Sequence, residues 1–145
     1  VPKDKWKIVD CSFVNEEDAP VPRLIDGDLS TMWHTHGPDG RVTPPHEVVL
    51  DLGEETNLTG FYCMPRHDGC RVGLVDQYAV YISDDSETWG DPIAEGEFSN
   101  VENNPVMQIV PFDETARARF VKFVAKHAVE GNTCVAICEL GLISE

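Results

Sequence analysis

The chain has 145 residues, with 26 acidic and 11 basic side chains and a net charge of −15. Such a surface repels phosphate backbones and anionic headgroups, which argues against nucleic acid and acidic membranes and leaves a neutral ligand, a cation or a basic protein as partner. The length suits one domain with one core, taken here as residues 1–145, and no run of eighteen apolar residues is present to span a bilayer as a helix.

In chain order, the opening VPKDKWK lacks the apolar stretch of a signal peptide, as expected if a leader has been removed or if the sequence is a piece of a longer protein. Trp6–Cys11 alternates and is rich in β-formers, so it reads as a first strand. Glu16–Pro22 is acidic and proline-bearing and reads as a loop. A turn at Asp26-Gly27-Asp28 leads into a short strand at Trp33–Thr35, followed by a loop over Gly37–Pro45. His46–Leu52, ended by Gly53, is a strand, and Asn57–Pro65 is another. After the glycine-bearing loop Arg66–Gly73, the run Asp76–Ser83 alternates well, Asp84–Pro92 reads as a turn carrying Trp89, and Pro92–Phe98 is at most a short strand. Val106–Phe112 and Ala118–Lys126 are strands separated by the polar stretch Asp113–Thr115, and Thr133–Ile143 closes the chain as a long apolar strand. Helical periodicity is almost absent. Many short strands with frequent turn signals predict an all-β antiparallel sandwich or jelly roll.

The stretch Leu24–His36, LIDGDLSTMWHTH, concentrates the candidate chemistry. Asp26, Asp28 and Thr31 carry the hard oxygen donors that calcium prefers, and a site there needs a partner from far along the chain. The same residues also suit a plain Asp-Gly turn before a core tryptophan. His34 and His36 lie two apart and share a face on a strand, but no spacing indicates a third ligand for zinc or copper. Arg66, at a strand end in PRHDG, offers a planar guanidinium suited to hydroxyls or carboxylates; a surface arginine paired with an acid is the competing reading. Catalytic constellations are missing, with no G-x-S-x-G elbow and no glycine-rich phosphate cradle. The five cysteines are Cys11, Cys63, Cys70, Cys134 and Cys138; an odd count leaves at least one unpaired in a monomer, and Cys63 and Cys70 are spaced so that a bridge across their loop is possible.

The runs LIDGDLSTMWHT, PPHEVVLDLG, FYCMPRHDG, QYAVYISDDSETWGDPIAEG, ARFVKFVA and AICELGLI, in this order, resemble the discoidin or coagulation-factor type-C family. Within it, the similarity is to the family 32 carbohydrate-binding modules, and it covers roughly Trp6 to Ile143. The resemblance implies an eight-stranded jelly-roll sandwich and a structural calcium ion. The side chains of Asp26, Thr31 and Glu139 and the backbone carbonyls of Arg23, Asp28 and Cys138 would hold that ion, supplying the distant partner. It also implies a sugar site on loops at one end of the sandwich, where His34 and Arg66 bond to sugar hydroxyls and an acid near Glu17 completes the set. Galactose or an N-acetylhexosamine is the expected sugar. A parent glycoside hydrolase and an extracellular or periplasmic location are implied with it.

The sequence departs from the family pattern where sugars stack. Val72-Gly73 stands where the loop after Arg66 commonly carries an asparagine before glycine, and Cys134 stands where the last loop commonly presents an aromatic. The loop after His34 offers His36, Gly37 and Pro38 in place of a Trp, Phe or Tyr. Membership of the same loops makes His36, Asp39, Arg41 and Arg71 candidates for a different pocket. Trp33 and Trp89 are read as packing residues. A non-catalytic carbohydrate-binding module is the leading expectation. A structural or protein-interaction domain of the same fold is the alternative.

Overall fold

The computed structural model describes residues 1–12, 20–35 and 43–145. Among them run seven strands: β1 (Lys7–Cys11), β2 (Trp33–His34), β3 (His46–Pro65), β4 (Val75–Ser83), β5 (Ala94–Glu97), β6 (Gln108–Ala128) and β7 (Ala136–Ser144). Short 3-10 turns at Val21–Ile25 and Val129–Gly131 are the helical elements among the described residues, and no helix there is long and apolar enough to cross a membrane.

Two pairs of expected strands turn out to be continuous. His46–Leu52 and Asn57–Pro65 form the single 20-residue β3, and the two segments on either side of Asp113–Thr115 form the 21-residue β6. Glu54, Glu55 and Asp113–Thr115 are polar because they are exposed, and the chain stays extended through them. β3 and β6 pair antiparallel over nearly their whole length, with register shifts between Asp51 and Thr56 and between Leu58 and Gly60. Such irregularities bend strands and increase their twist.

The bend converts one long ladder into two layers. The first half of β3 lies between β1 and the second half of β6, which pairs onward with β4 and then β5. The second half of β3 lies between the first half of β6 and β7, and β7 carries β2 on its other edge. The layers close on each other around Phe61. Its ring, from the second half of β3, meets the opposite layer at Tyr78 of β4 (5.2 Å between centroids) and Phe123 of β6 (6.0 Å), both edge-on. Alternation supplies the rest of the core: Val48, Leu50 and Leu52 from β3 and Val121, Phe123 and Ala125 from β6 all point inward. This is the expected antiparallel β-sandwich.

Trp33 is fully buried, as expected of a packing residue. Trp89 differs. It is half-buried on the outer face, with the Lys122 ammonium 4.6 Å above its ring and 4.9 Å above that of Tyr81. Cys63 and Cys70 are both free thiols, so the bridge between them is absent; Cys63 is buried on β3, and burial pushes its pKa far up.

Candidate functional site

The start of β7 organises the loop end of the sandwich. His34 on β2 pairs with Ala136 from one side, and Pro65 at the end of β3 pairs with Ile137 from the other. Arg66 follows Pro65 directly, so His34 and Arg66 flank the same two β7 residues. The Arg66–Gly73 loop is fastened there by the Ala136 N–H, which donates to the Gly73 carbonyl at 2.8 Å. Gly73 has φ +86°, and a Cβ on it would come within 2.9 Å of the Ala136 nitrogen, so this approach requires glycine.

Arg66 is oriented by its own loop. Its Nε and one terminal nitrogen donate to the two oxygens of Asp68 at 2.8 and 3.0 Å, and the other terminal nitrogen donates to the Val72 carbonyl at 3.2 Å. Asp68 also accepts the Cys70 N–H at 3.0 Å. The Arg66 guanidinium, aided by that N–H, holds the Asp68 carboxyl at about 2, well below the usual carboxylate range. Asp68 in turn keeps Arg66 charged. Asp68 escaped the sequence reading, although a carboxylate two residues after the arginine in PRHDG was the available signal.

The strand end that carries His34 is fastened by a buried polar pair that sequence reasoning also missed. Thr35 and His46 are 2% and 1% exposed. The Thr35 hydroxyl lies 3.3 Å from His46 Nε2 and accepts the Val135 N–H at 3.0 Å, while the Thr35 N–H donates to the Val135 carbonyl at 3.0 Å. These bonds fix the end of β2 against β7. Pairing the hydroxyl with Nε2 lowers the cost of burying these two atoms.

The other expected ligand-binding residues divide. Arg71 forms an ion pair with Glu102 at 3.2 Å. Val72 is exposed, and Cys134 is buried close enough to Arg66 for the charge to act on its thiol, although burial dominates and raises its pKa. Glu17, His36, Asp39 and Arg41 lie outside the described residues.

A second cluster forms where the Asp26–Thr31 turn meets β7. Asp26 Oδ1 accepts the Asp28 N–H at 2.8 Å, and the Thr31 hydroxyl donates to Asp26 Oδ2 at 2.6 Å and lies 3.1 Å from the Asp28 carbonyl. Glu139 reaches the same turn from 112 residues away, its two oxygens accepting the Gly27 N–H at 3.1 and 3.2 Å. A bulge in β7 aims it there. Core residues fall on Leu142 and Leu140 and then on Ile137 and Val135, and the register against β3 shifts between Met64 and Pro65. The extra residue turns Cys138 and Glu139 out of the alternation. Burial pushes the Glu139 carboxyl up from its ordinary value, while Lys3 and the Gly27 N–H pull it back.

The donor chemistry fits a hard cation: two carboxylates, a hydroxyl and a carbonyl oxygen converge on one turn. The 3-10 turn holding Arg23 packs on β7, the strand that carries Cys138 and Glu139. Among the described residues no three carboxylate, imidazole or thiol groups gather into a metal cluster, so an ion at this turn would have to draw partly on neutral oxygens.

The comparisons agree with this architecture. A Clostridium perfringens domain solved with GalNAc-β-1,3-galactose superimposes with a TM-score of 0.85 at 23% identity, covering 99% of this chain and 98% of its own. The family 32 carbohydrate-binding module of C. perfringens NanJ, solved with galactose, superimposes at 0.81 with 23% identity, covering 98% and 96%. In sequence, galactose oxidase of Gibberella zeae is 32% identical over 129 residues, 83% of this chain and 17% of that protein. The sialidase of Micromonospora viridifaciens is 30% identical over 133 residues, 91% of this chain and 20% of that protein. The chain thus spans a fifth or less of these curated relatives. The model of the F5/8 type C domain matches residues 7–140, and the chain belongs to that family.

Proposed function

We propose that this domain is a non-catalytic carbohydrate-binding module that holds a parent glycoside hydrolase at its glycan through the loop end carrying His34 and Arg66. The observation that carries this reading is the Arg66–Asp68 fork set beside His34 at the start of β7. A guanidinium held in one plane loses little freedom when it donates to vicinal hydroxyls, and an imidazole opposite it bonds a third. The folds solved with galactose-type sugars support galactose or an N-acetylhexosamine as the ligand. Linking a weak binder to an enzyme raises the local substrate concentration without new chemistry. An extracellular or periplasmic parent is the setting in which polymeric glycans are met.

Titration against a panel of monosaccharides and short glycans, with His34→Ala and Arg66→Ala alongside, tests the reading. Binding that disappears in both variants supports it; a folded protein that binds no sugar overturns it. Exposed Val72 and buried Cys134, standing where the resemblance expects polar and aromatic sugar contacts, favour one second reading: a protein-interaction domain of the same fold. In that case the loop end packs against the parent enzyme, and the intact parent buries it.

The turn at Asp26 is proposed to hold a structural calcium through the side chains of Asp26, Thr31 and Glu139 and the carbonyls of Arg23, Asp28 and Cys138. Support comes from the convergence of hard oxygens on Glu139 across the sandwich. When bound, the ion offsets carboxylate repulsion and ties the first turn to β7. Calorimetric titration with calcium after chelation tests it.

A further inference from the structure

Glu139 is 1% exposed, and a buried carboxylate requires a paired charge. The structure already supplies one. The Lys3 ammonium bonds Glu139 Oε1 and donates to the Leu140 carbonyl at 2.8 Å. It also lies 5.5 Å from the ring centre of Trp6 and 5.3 Å from that of Tyr62, on whose faces a cation is attracted. The cage is built into β3 and β7. Tyr62 pairs with Gly141, and a Cβ on Gly141 would lie 2.0 Å from the tyrosine Cζ, so the missing side chain is what lets this ring lie across β7. Glu139 Oε1 accepts from both Lys3 and Gly27, while Oε2 accepts from Gly27 alone.

We propose that Lys3 is a built-in cation for Glu139, and that a divalent ion entering the Asp26 turn must displace it. The inference rests on the calcium reading of this turn. An ion coordinated by Glu139 sits at about 2.3–2.6 Å from its oxygen, which places two positive charges beside a third on one buried carboxylate. Glu139 and most of Lys3 are buried, so solvent screens this repulsion only in part and metal uptake and Lys3 docking oppose each other. The domain then keeps its fold without the metal, and its calcium affinity is set by how firmly Trp6, Tyr62 and Leu140 hold the ammonium.

The test has two arms. Calcium is titrated by calorimetry into chelator-treated wild type and Lys3→Met, and lysine acetylation of wild type is followed by mass spectrometry with and without calcium. The expected result is at least tenfold tighter calcium binding by Lys3→Met. In wild type, calcium should accelerate acetylation at Lys3 and leave the exposed Lys5 unchanged. Equal or weaker affinity in the variant, or unchanged Lys3 acetylation in calcium-loaded wild type, overturns the proposal and leaves the calcium site standing. No calcium binding by either protein overturns both. If Lys3→Met fails to fold, the acetylation arm decides.

Discussion

Arg66 and Asp68 face each other in a two-bonded fork, Nε to Oδ1 at 2.8 Å and a terminal nitrogen to Oδ2 at 3.0 Å, within one loop. The pair is partly exposed, so it adds little to folding stability. Its consequence is orientational: it fixes the plane of the Arg66 guanidinium, in which the proposed sugar would be met. Asp68→Asn should therefore weaken sugar binding roughly tenfold while leaving stability nearly unchanged, since an oriented charged hydrogen bond contributes on the order of 1.5–3 kcal/mol. Arg66→Ala should lose more, and the double variant no more than Arg66→Ala alone. Additive losses in that double-mutant cycle would show that Asp68 acts independently of Arg66.

The same fork has a defined acid limit. The folded Asp68 carboxyl titrates at about 2, below the roughly 3.9 of an unfolded chain. A depressed carboxylate contributes stability that is fully present above its unfolded value and is lost as pH falls through its folded value. The stability the fork contributes should thus be full above about pH 4 and be lost as pH falls from about 4 to 2, while in the folded protein the fork itself opens with a midpoint near pH 2. Carboxyl NMR of Asp68 checks this. A midpoint near that of a free aspartate would mean that the fork does not form in solution.

Phe61 is the residue on which the two layers close, with Tyr78, Phe98, Phe112 and Phe123 all around its ring. Phe61→Ala should destabilise the domain by about 3–5 kcal/mol, from lost burial plus the cavity left behind. Urea unfolding measures the loss; a change below about 1 kcal/mol would indicate that the layers close elsewhere.

Gly141→Ala tests the tyrosine over β7. The added methyl overlaps the far end of the Tyr62 side chain, so the ring must swing off β7 and away from the Lys3 ammonium. A cost of about 1–3 kcal/mol is expected, as for other overpacked sites. Removing the ring in Tyr62→Ala/Gly141→Ala should recover part of it. Gly141→Ala as stable as wild type would place the ring elsewhere in solution.

What the sequence disclosed follows the range of the forces involved. Alternation in Val48–Leu52 and Val121–Ala125 is local, so strand identity and the core face were legible. The continuity of β3 through Gly53–Thr56 was not, because exposed polar residues read the same whether the chain turns or runs on in solvent. The placing of His34 and Arg66 at one loop end came from the family resemblance and not from any local pattern, because it depends on β7 pairing with both β2 and β3. Lys3 was illegible for the same reason. Its partner Glu139 lies 136 residues away, and nothing local distinguishes a caged lysine from a solvated one.

Val72 offers the most direct gain-of-function test. It is 44% exposed at the rim of the Arg66 loop, and its carbonyl, not its side chain, holds the guanidinium. Replacing it therefore leaves the fork intact, and a polar side chain at an exposed site should shift stability by no more than about 0.5 kcal/mol. The resemblance places an asparagine here, whose amide both donates to and accepts from a hydroxyl. Val72→Asn should raise sugar affinity roughly tenfold if one well-placed neutral hydrogen bond is gained, near the upper end of its usual worth. Titration of the variant beside wild type and Val72→Asn/Arg66→Ala measures it. The gain should vanish without Arg66, because the two groups grip adjacent hydroxyls of one ring. An equal gain without Arg66 would put the new contact outside this site, and no gain in a folded variant would favour the protein-interaction reading of the loop end.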